Sequence, residues 1–455
     1  MRAGPIDYNE YSRFPTRRVR HIPGNSGAPI IGDSLRFLKD LPGLTRDKYL
    51  RYGPVFRVNA FFQDTIVLLG PDANEAILKD SNNCFSSALA WNTSLDKIFP
   101  NGLMLKDFEE HKYHRRILQL AFKRGAIERY VDAMSPQIAK GIAIWQPGQP
   151  LRFYDHVKKL LLEVAAAVFL GLNVTPEAGR LNRSFVDAVE ASLALVRISL
   201  PGNRWARGQR GRAYLEAFVQ AHIAAKRDSA DQDIFAQVCR ARDEEGRYFS
   251  EQAITDHLIF LLFAAHDTTT STLCSIVFSL ASNPAWQQRL REEYRSADAI
   301  HPGLGAISAM DDTALVFREA LRMYPPLATI PRRCVRDTEV LGHRIPRNAG
   351  VGISPLFTHY MEEYWTAPTR FDPERFAPGR AEDKQHFFQY IPFGGGAHKC
   401  LGMHFAEVQS KLFLHHFLRH YEVSVEPGYA MARSVVPLSL PTDGLPVTLR
   451  KIEQI

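Results

Sequence analysis

Cys400 sits in the run PFGGGAHKCLG, which begins at Pro392. Gly394, Gly395 and Gly396 precede it, and His398 and Lys399 stand directly before it. Glycines carry no Cβ, so such a loop can turn tightly and let a flat group lie against its backbone. The stretch after the sulfur has helical apolar spacing, which places Cys400 at or just before a helix N-terminus. Unpaired N–H groups and the helix dipole favour an anion there, in this case a thiolate. His398 and Lys399 add positive character. A thiolate held in a glycine-lined, partly apolar loop is suited to ligate haem iron axially. The competing reading of a lone cysteine is a buried structural thiol.

Other residues could share in chemistry. Asp267 and Thr268 fall within the apolar stretch LLFAAHDTTTST, where idle polar groups are costly. The plainer reading is a helix bent by threonine hydroxyls that bond back to carbonyls one turn earlier. Glu319 and Arg322 form an i, i+3 pair in VFREALRMYPP, and His111 and Arg115 lie four apart in EEHKYHRRILQLAF. Read alone, the first is a surface ion pair of little energetic weight, and the second a pair of exposed bases.

The elements that must position these residues can be read from periodicity. YGPVFRVNAFFQDTIVLLG reads as a strand pair. Beyond it the pattern is mostly helical to about residue 330. The central helix is expected over residues 251–282, with Ser250 as N-cap and Pro284 as the stop. Its middle, LIFLLFAA, is apolar on every face and so belongs inside the molecule. After residue 330 short strands and turns dominate, and VPLSLPTDGLPVTLRK reads as a hairpin. The expected class is mainly α with a smaller β part (α+β), in one domain over 1–455. Residues 1–30 form an N-terminal extension and 387–402 the cysteine loop.

Composition sets bounds. The chain is 45% hydrophobic and 23% charged, an ordinary globular balance. A net charge of +7, spread thinly, implies no nucleic-acid partner. The five cysteines have no short spacing, which argues against disulfides or zinc and for a reducing cytoplasm. The N-terminus lacks an apolar core, and no run reaches the length of a membrane span.

The motifs together resemble the cytochrome P-450 superfamily of haem-thiolate monooxygenases, of bacterial soluble type and nearer its sterol-, retinoid- and terpenoid-oxidising branches. Phe393, Gly396, His398, Cys400 and Gly402 fill the places of the family's haem-binding signature. The resemblance implies a triangular, helix-rich fold with the central helix over haem b (iron protoporphyrin IX). It implies Cys400 as iron ligand, with Phe393, Gly394 and Ala264 against the cofactor. His111, Arg115, Arg332 and His398 would bind the haem propionates, with Arg333 the rival of Arg332. Glu319, Arg322 and Arg375 (from FDPERF) would form a buried cluster beneath the haem. Thr268 and Asp267 would deliver protons on the distal side, while thiolate ligation favours O–O cleavage.

The expected pocket is apolar: Leu262, Phe263 and Ala264, then Leu327, Ala328 and Ile330, then Val436 to Leu440, including Leu438. This implies a lipophilic substrate such as a steroid, terpenoid or fatty acid. No flavin or iron–sulfur motif is seen, so electrons would come from a ferredoxin- or flavodoxin-type donor with its reductase. Lys399, Lys112 and Arg116 would face it. ISLPGNRWARGQRGR reads either as a solvated loop or as a lid touching a membrane through Trp205, a peripheral contact. Rival functions are a peroxygenase or isomerase that needs no electron donor, and a non-catalytic haem sensor.

Overall fold

The longest element of the computed structural model is the Glu251–Ala281 helix. The structure describes residues 8–452 apart from 12–14, 17–18, 173–175, 193, 195–196 and 297–299. The Ser250 hydroxyl caps the helix by accepting from the Ala253 N–H at 3.2 Å. Many of its hydroxyls are buried, and they find partners within the helix. Thr255, Thr270, Thr272, Ser275 and Ser279 each donate to the carbonyl four residues earlier, at 2.8–2.9 Å. A hydroxyl-rich sequence can therefore run through the core with these hydroxyls satisfied. The helices Phe153–Leu170, Arg204–Asp228, Asp311–Met323 and Met403–His420 pack around it.

A five-stranded sheet lies to one side. Its order is Val55–Ala60, Gln63–Leu68, Gly350–Ile353, Ile330–Cys334 and Phe85–Ser86. The first pair is the expected antiparallel hairpin, with Val55 opposite Leu68. Gly350–Ile353 runs parallel to Gln63–Leu68 and antiparallel to Ile330–Cys334. Val19 and Ile22 are buried against this sheet, so the described end of the N-terminal extension belongs to a core. Residues 1–7 of that extension lie outside the described residues.

Two expectations fail locally. The C-terminal tail is not one hairpin. Arg433–Ser434 pairs with Leu440–Pro441, whereas Pro446–Lys451 joins Tyr421–Ser424 and Pro150–Arg152 in a separate sheet. The physical reason is that Pro446–Lys451 gains two partner strands there, with Val447 and Leu449 buried. The second, a loop or lid over residues 198–212, fails in its latter half, for 204–212 begin the Arg204–Asp228 helix, while 198–203 lie outside it with Ile198 and Leu200 exposed. Trp205 is buried, and two of the arginines face acids of the protein: Arg207 meets Asp187 at 3.2 Å, and Arg212 meets Glu216 at 2.8 Å as well as Asp256. Asn203 caps this helix through the Ala206 N–H, which explains why the sequence turns helical there.

Candidate active site

The cysteine loop is held from three directions. The Cys400 N–H donates to the Phe393 carbonyl at 2.9 Å, and Gly394 N–H donates to Ile391 O at 3.0 Å. Gly394 and Gly396 take φ of +65° and +61°, which other residues adopt with strain. A Cβ on Gly396 would lie 1.7 Å from the Leu78 carbonyl, and one on Gly395 would lie 3.0 Å from Phe388. Glycine is thus required at 396 by the close approach of the Leu78 carbonyl of the Pro71–Lys79 helix, and at 395 a side chain would crowd Phe388 and Leu78, a role not expected from the sequence. Phe393 stacks on Phe317, with ring centroids 6.3 Å apart. Gly402 is the N-cap of the Met403–His420 helix, so Cys400 precedes that helix as expected.

Cys400 is solvent-accessible, yet protein surrounds it closely enough to matter electrically. Burial pushes its thiol pKa up, while the Gly402 N–H, Arg115 and Lys399 act to lower it. The other four cysteines are buried.

Across the cleft, Ala264 is exposed and Thr268 half-buried at the middle of a helix that is otherwise enclosed. Exposure deep inside a core means an internal opening beside these two residues. The Thr268 hydroxyl donates to the Ala264 carbonyl at 2.8 Å. Asp267 points elsewhere, to the Lys158 ammonium at 3.2 Å and His266 Nδ1 at 3.2 Å. Burial acts to raise its pKa, but the His266 bond and charge and the Lys158 ammonium outweigh it and bring the carboxyl down to about 2. Asp267 is therefore an ionised, paired group. Lys158 and His266 were not anticipated, although His266 adjoins Asp267 in sequence.

A cluster of bases lies beside the loop. His111, on the Phe108–Leu118 helix, is buried, and its ring lies 3.9 Å from that of His398. His111 Nδ1 has no hydrogen-bond partner among the described residues. Burial, with Arg115 and Arg332 nearby, lowers the His111 pKa to about 4; His398 is pushed well down for the same reasons. Arg332 is buried in this group, and burial brings its pKa down to about 10. Adjacent residues of a strand face opposite ways. Arg333 accordingly bonds Asn348 Oδ1 at 2.9 Å on the other face. Asp107 is the acid within reach of the cluster, 3.8 Å from His398 Nε2.

Glu319, Arg322 and Arg375 are all fully buried. Arg322 Nε and one terminal nitrogen grip the two Glu319 oxygens at 2.7 and 2.9 Å, and Arg375 Nε adds a bond at 3.1 Å. Remaining donors reach the His359, Pro368 and Thr366 carbonyls at 2.8–2.9 Å. His359 was missed by sequence reasoning. Its Nδ1 lies 3.1 Å from the Arg322 carbonyl, and its Nε2 accepts from the Ile391 N–H at 3.0 Å. One neutral imidazole thus ties the ion cluster to the base of the cysteine loop.

The apolar segments converge through Ser439. Its carbonyl accepts from the Ser271 hydroxyl on the central helix, and its N–H donates to Pro326 O at 2.9 Å. Leu327 and Leu438 are sequence neighbours of these anchor points, whereas Ala328 clusters with Leu41, Leu356 and Val435, and Ile330 lies 3.8 Å from the Cβ position of Gly394 beside the cysteine loop. Phe263 stacks on Phe99 at 4.3 Å. Leu262 departs from expectation: at about 100° per residue it lies roughly 200° around the helix from Ala264. It packs into the core instead.

The residues present fit a haem. A thiol precedes a helix N-terminus, Ala264 is exposed on an otherwise enclosed helix, and buried bases with an unpartnered imidazole nitrogen call for an anion such as a propionate. The family description cytochrome P450 matches residues 22–447. The chain belongs to the cytochrome P450 family. It is 34% identical to a putative cytochrome P450 136 of Mycobacterium tuberculosis, covering 96% of this chain and 92% of the relative. It is 27% identical to a taxane 10-beta-hydroxylase of Taxus cuspidata, covering 95% and 90%. The solved structure of retinoic-acid-bound cyanobacterial CYP120A1 superposes with a TM-score of 0.84 at 28% identity, over 95% of this chain and 99% of that one. This P450 is accordingly a haem-binding monooxygenase, an oxidoreductase. No helix among the described residues is long and apolar enough to cross a membrane.

Proposed function

We propose that this P450 hydroxylates a lipophilic substrate of the steroid, terpenoid or fatty-acid kind, with electrons from a separate ferredoxin- or flavodoxin-type donor. The observation that carries the substrate class is the convergence at Ser439. It ties the segment after Pro326 and the Val436–Leu440 segment, both largely apolar, to the central helix at Ser271. Taxane and retinoic acid, the compounds named for two similar proteins, are themselves lipophilic, which supports the same class here.

When bound, haem supplies the activation of dioxygen and the transfer of one oxygen atom to a C–H bond. Cys400 Sγ is the residue to hold the iron. The Gly402 N–H and the Arg115 and Lys399 charges stabilise the thiolate that this requires. His111, Arg115, Arg332 and His398 are the propionate donors, and Phe393, Gly394 and Ala264 line the cofactor. Thr268 Oγ1 holds a proton at the opening by turning from the Ala264 carbonyl. Asp267 resupplies that proton as a relay: its carboxylate leaves Lys158, takes up a proton from solvent and passes it on. The pair is the feature that favours an oxygenase over a donor-independent peroxygenase or isomerase.

Lys112 and Arg116 are committed to Glu109 and Glu244, at 2.7 and 2.5 Å. Donor docking then rests on Lys399, together with the exposed Lys123 and Arg124 next to Phe122, which lies 3.9 Å from the Cβ direction of Gly402. The test is a spectral titration of the ferric holoprotein against terpenoids, steroids, long-chain fatty acids and small polar aromatics. The expected result is a Soret blue shift with members of the first three groups. A shift confined to the small polar compounds overturns the reading.

A further inference from the structure

Arg433 stands in the C-terminal tail, on the short strand Arg433–Ser434 that pairs with Leu440–Pro441. It is half-buried, and its guanidinium lies 4.4 Å from the centre of the Tyr324 ring. One terminal nitrogen donates to Ser439 Oγ at 3.1 Å. No acid faces it among the described residues; its titratable neighbours are Tyr360 and Tyr324. Asp443, farther along the tail, is held by the Tyr429 hydroxyl at 2.8 Å and the Leu445 N–H at 3.0 Å. The Tyr324 hydroxyl also lacks a hydrogen-bond partner among the described residues, whereas the Tyr360 hydroxyl donates to the Met323 carbonyl at 3.0 Å.

Few arginines of this protein are placed in this way. Burial lowers the pKa of Arg115, Arg291, Arg332, Arg333 and Arg433. Arg291 has Glu422 as a counter-charge. Arg115 and Arg332 belong to the cluster beside the cysteine loop that calls for an anion, and Arg333 adjoins them on the same strand and bonds Asn348. Arg433 is on neither the helix nor the strand of that cluster and has no carboxylate of its own. A stacked ring and one hydroxyl recover only part of what a guanidinium loses on leaving water. Folding selects against such a cation, and an anionic ligand would satisfy it.

Its place points to the ligand. Ser439, whose hydroxyl Arg433 holds, accepts from Ser271 on the central helix through its carbonyl. Ser271 follows Thr268 by three residues and Ala264 by seven. At about 100° per residue, all three share one face of that helix. Arg433 is thus tied to the turn next to Thr268, on the face where Ala264 is exposed. The tail from Arg433 to Ser439 is largely apolar, and Val435 and Val436 pack with Ala328 and Leu356. An anion held at Arg433 therefore continues into apolar walls.

We propose that Arg433, with the Tyr324 hydroxyl, binds the carboxylate of the substrate, which makes that substrate a lipophilic carboxylic acid. Guanidinium N–H groups and a phenol are donors matched to the two oxygens of a carboxylate. The assignment rests on the lipophilic class proposed above and narrows it, because neutral steroids and neutral terpenoids lack the group that Arg433 would bind.

The test is a Soret titration of the ferric holoprotein with palmitic, retinoic and abietic acids, each beside its methyl ester. At least one acid is expected to bind about tenfold or more tighter than its ester. Arg433→Gln should erase that preference by weakening the acid and leaving the ester unchanged. Arg433→Lys, which keeps the charge, should retain part of it, and Tyr324→Phe should lose part of it. The melting midpoint of ligand-free Arg433→Gln should hold or rise, because an unpaired charge is removed. The inference is overturned if the esters bind as tightly as the acids, which leaves the lipophilic reading standing, or if Arg433→Gln keeps the acid preference. It is also overturned if that variant melts well below wild type or sheds haem, since the arginine would then be a structural or propionate residue. A protein that responds to neither acids nor esters overturns the lipophilic reading together with this inference.

Discussion

Replacing His359 with leucine removes a side chain of similar bulk but leaves two backbone groups without partners. The Ile391 N–H loses its acceptor, and the Arg322 carbonyl loses the Nδ1–H donor. His359 is fully enclosed, so water cannot replace either bond. Each orphaned buried group costs about 1–3 kcal/mol, so the pair should cost roughly 2–6 kcal/mol. Against a typical stability of about 5–15 kcal/mol, that is a large share. The loss should also be local. Ile391 begins the turn that carries Gly394 and Phe393, and the Phe393 carbonyl holds the Cys400 N–H. His359→Leu should therefore lower the urea midpoint and also reduce the fraction of the reduced, CO-bound protein that absorbs at the thiolate position. His359→Gln, which can still offer an oxygen to Ile391, should recover part of both. If His359→Leu unfolds within about 0.5 kcal/mol of wild type, the size of an ordinary surface change, and keeps the full thiolate band, the linkage argument is wrong.

Cys400→Ala should lose haem or move the CO-bound Soret band to its non-thiolate position, whereas the same change at buried Cys274 should leave the band in place. Thr268→Ala should still bind haem and substrate and consume reduced nicotinamide, with product per nicotinamide falling by about 10²-fold and hydrogen peroxide rising in its place; unchanged coupling with a lower melting temperature would mean that the hydroxyl only shapes the helix. Asp267 has a folded pKa depressed from 3.8 to about 2. Its contribution, roughly 2 kcal/mol, is thus fully present above about pH 4 and lost as pH falls toward 2. Wild type should accordingly lose stability more steeply than Asp267→Asn across that window, as read by urea titrations at stepped pH.

The place of Cys400 in a glycine loop just before a helix was legible because every part of that reading is local: glycines, a base and a helix start within a dozen residues. The central helix was legible for the same reason, through its cap, its length and its uniform apolarity. Periodicity could not say which face of that helix meets the opening. Leu262 and Ala264 are both apolar, and only the packing of the surrounding helices leaves one exposed and buries the other. Arg332 and Arg333 pose the same problem on a strand, where a shift of one residue reverses the face and pairing with Gly350–Ile353 sets which way each side chain points. His359, Ser439 and Lys158 were invisible because each acts on a partner far away in sequence: Ile391, Ser271 and Asp267. A hydrogen bond between distant segments leaves no spacing to read. The residue types and local helix signals come from the chain itself, whereas the joining of the ion cluster to the cysteine loop exists only once the fold has brought them together.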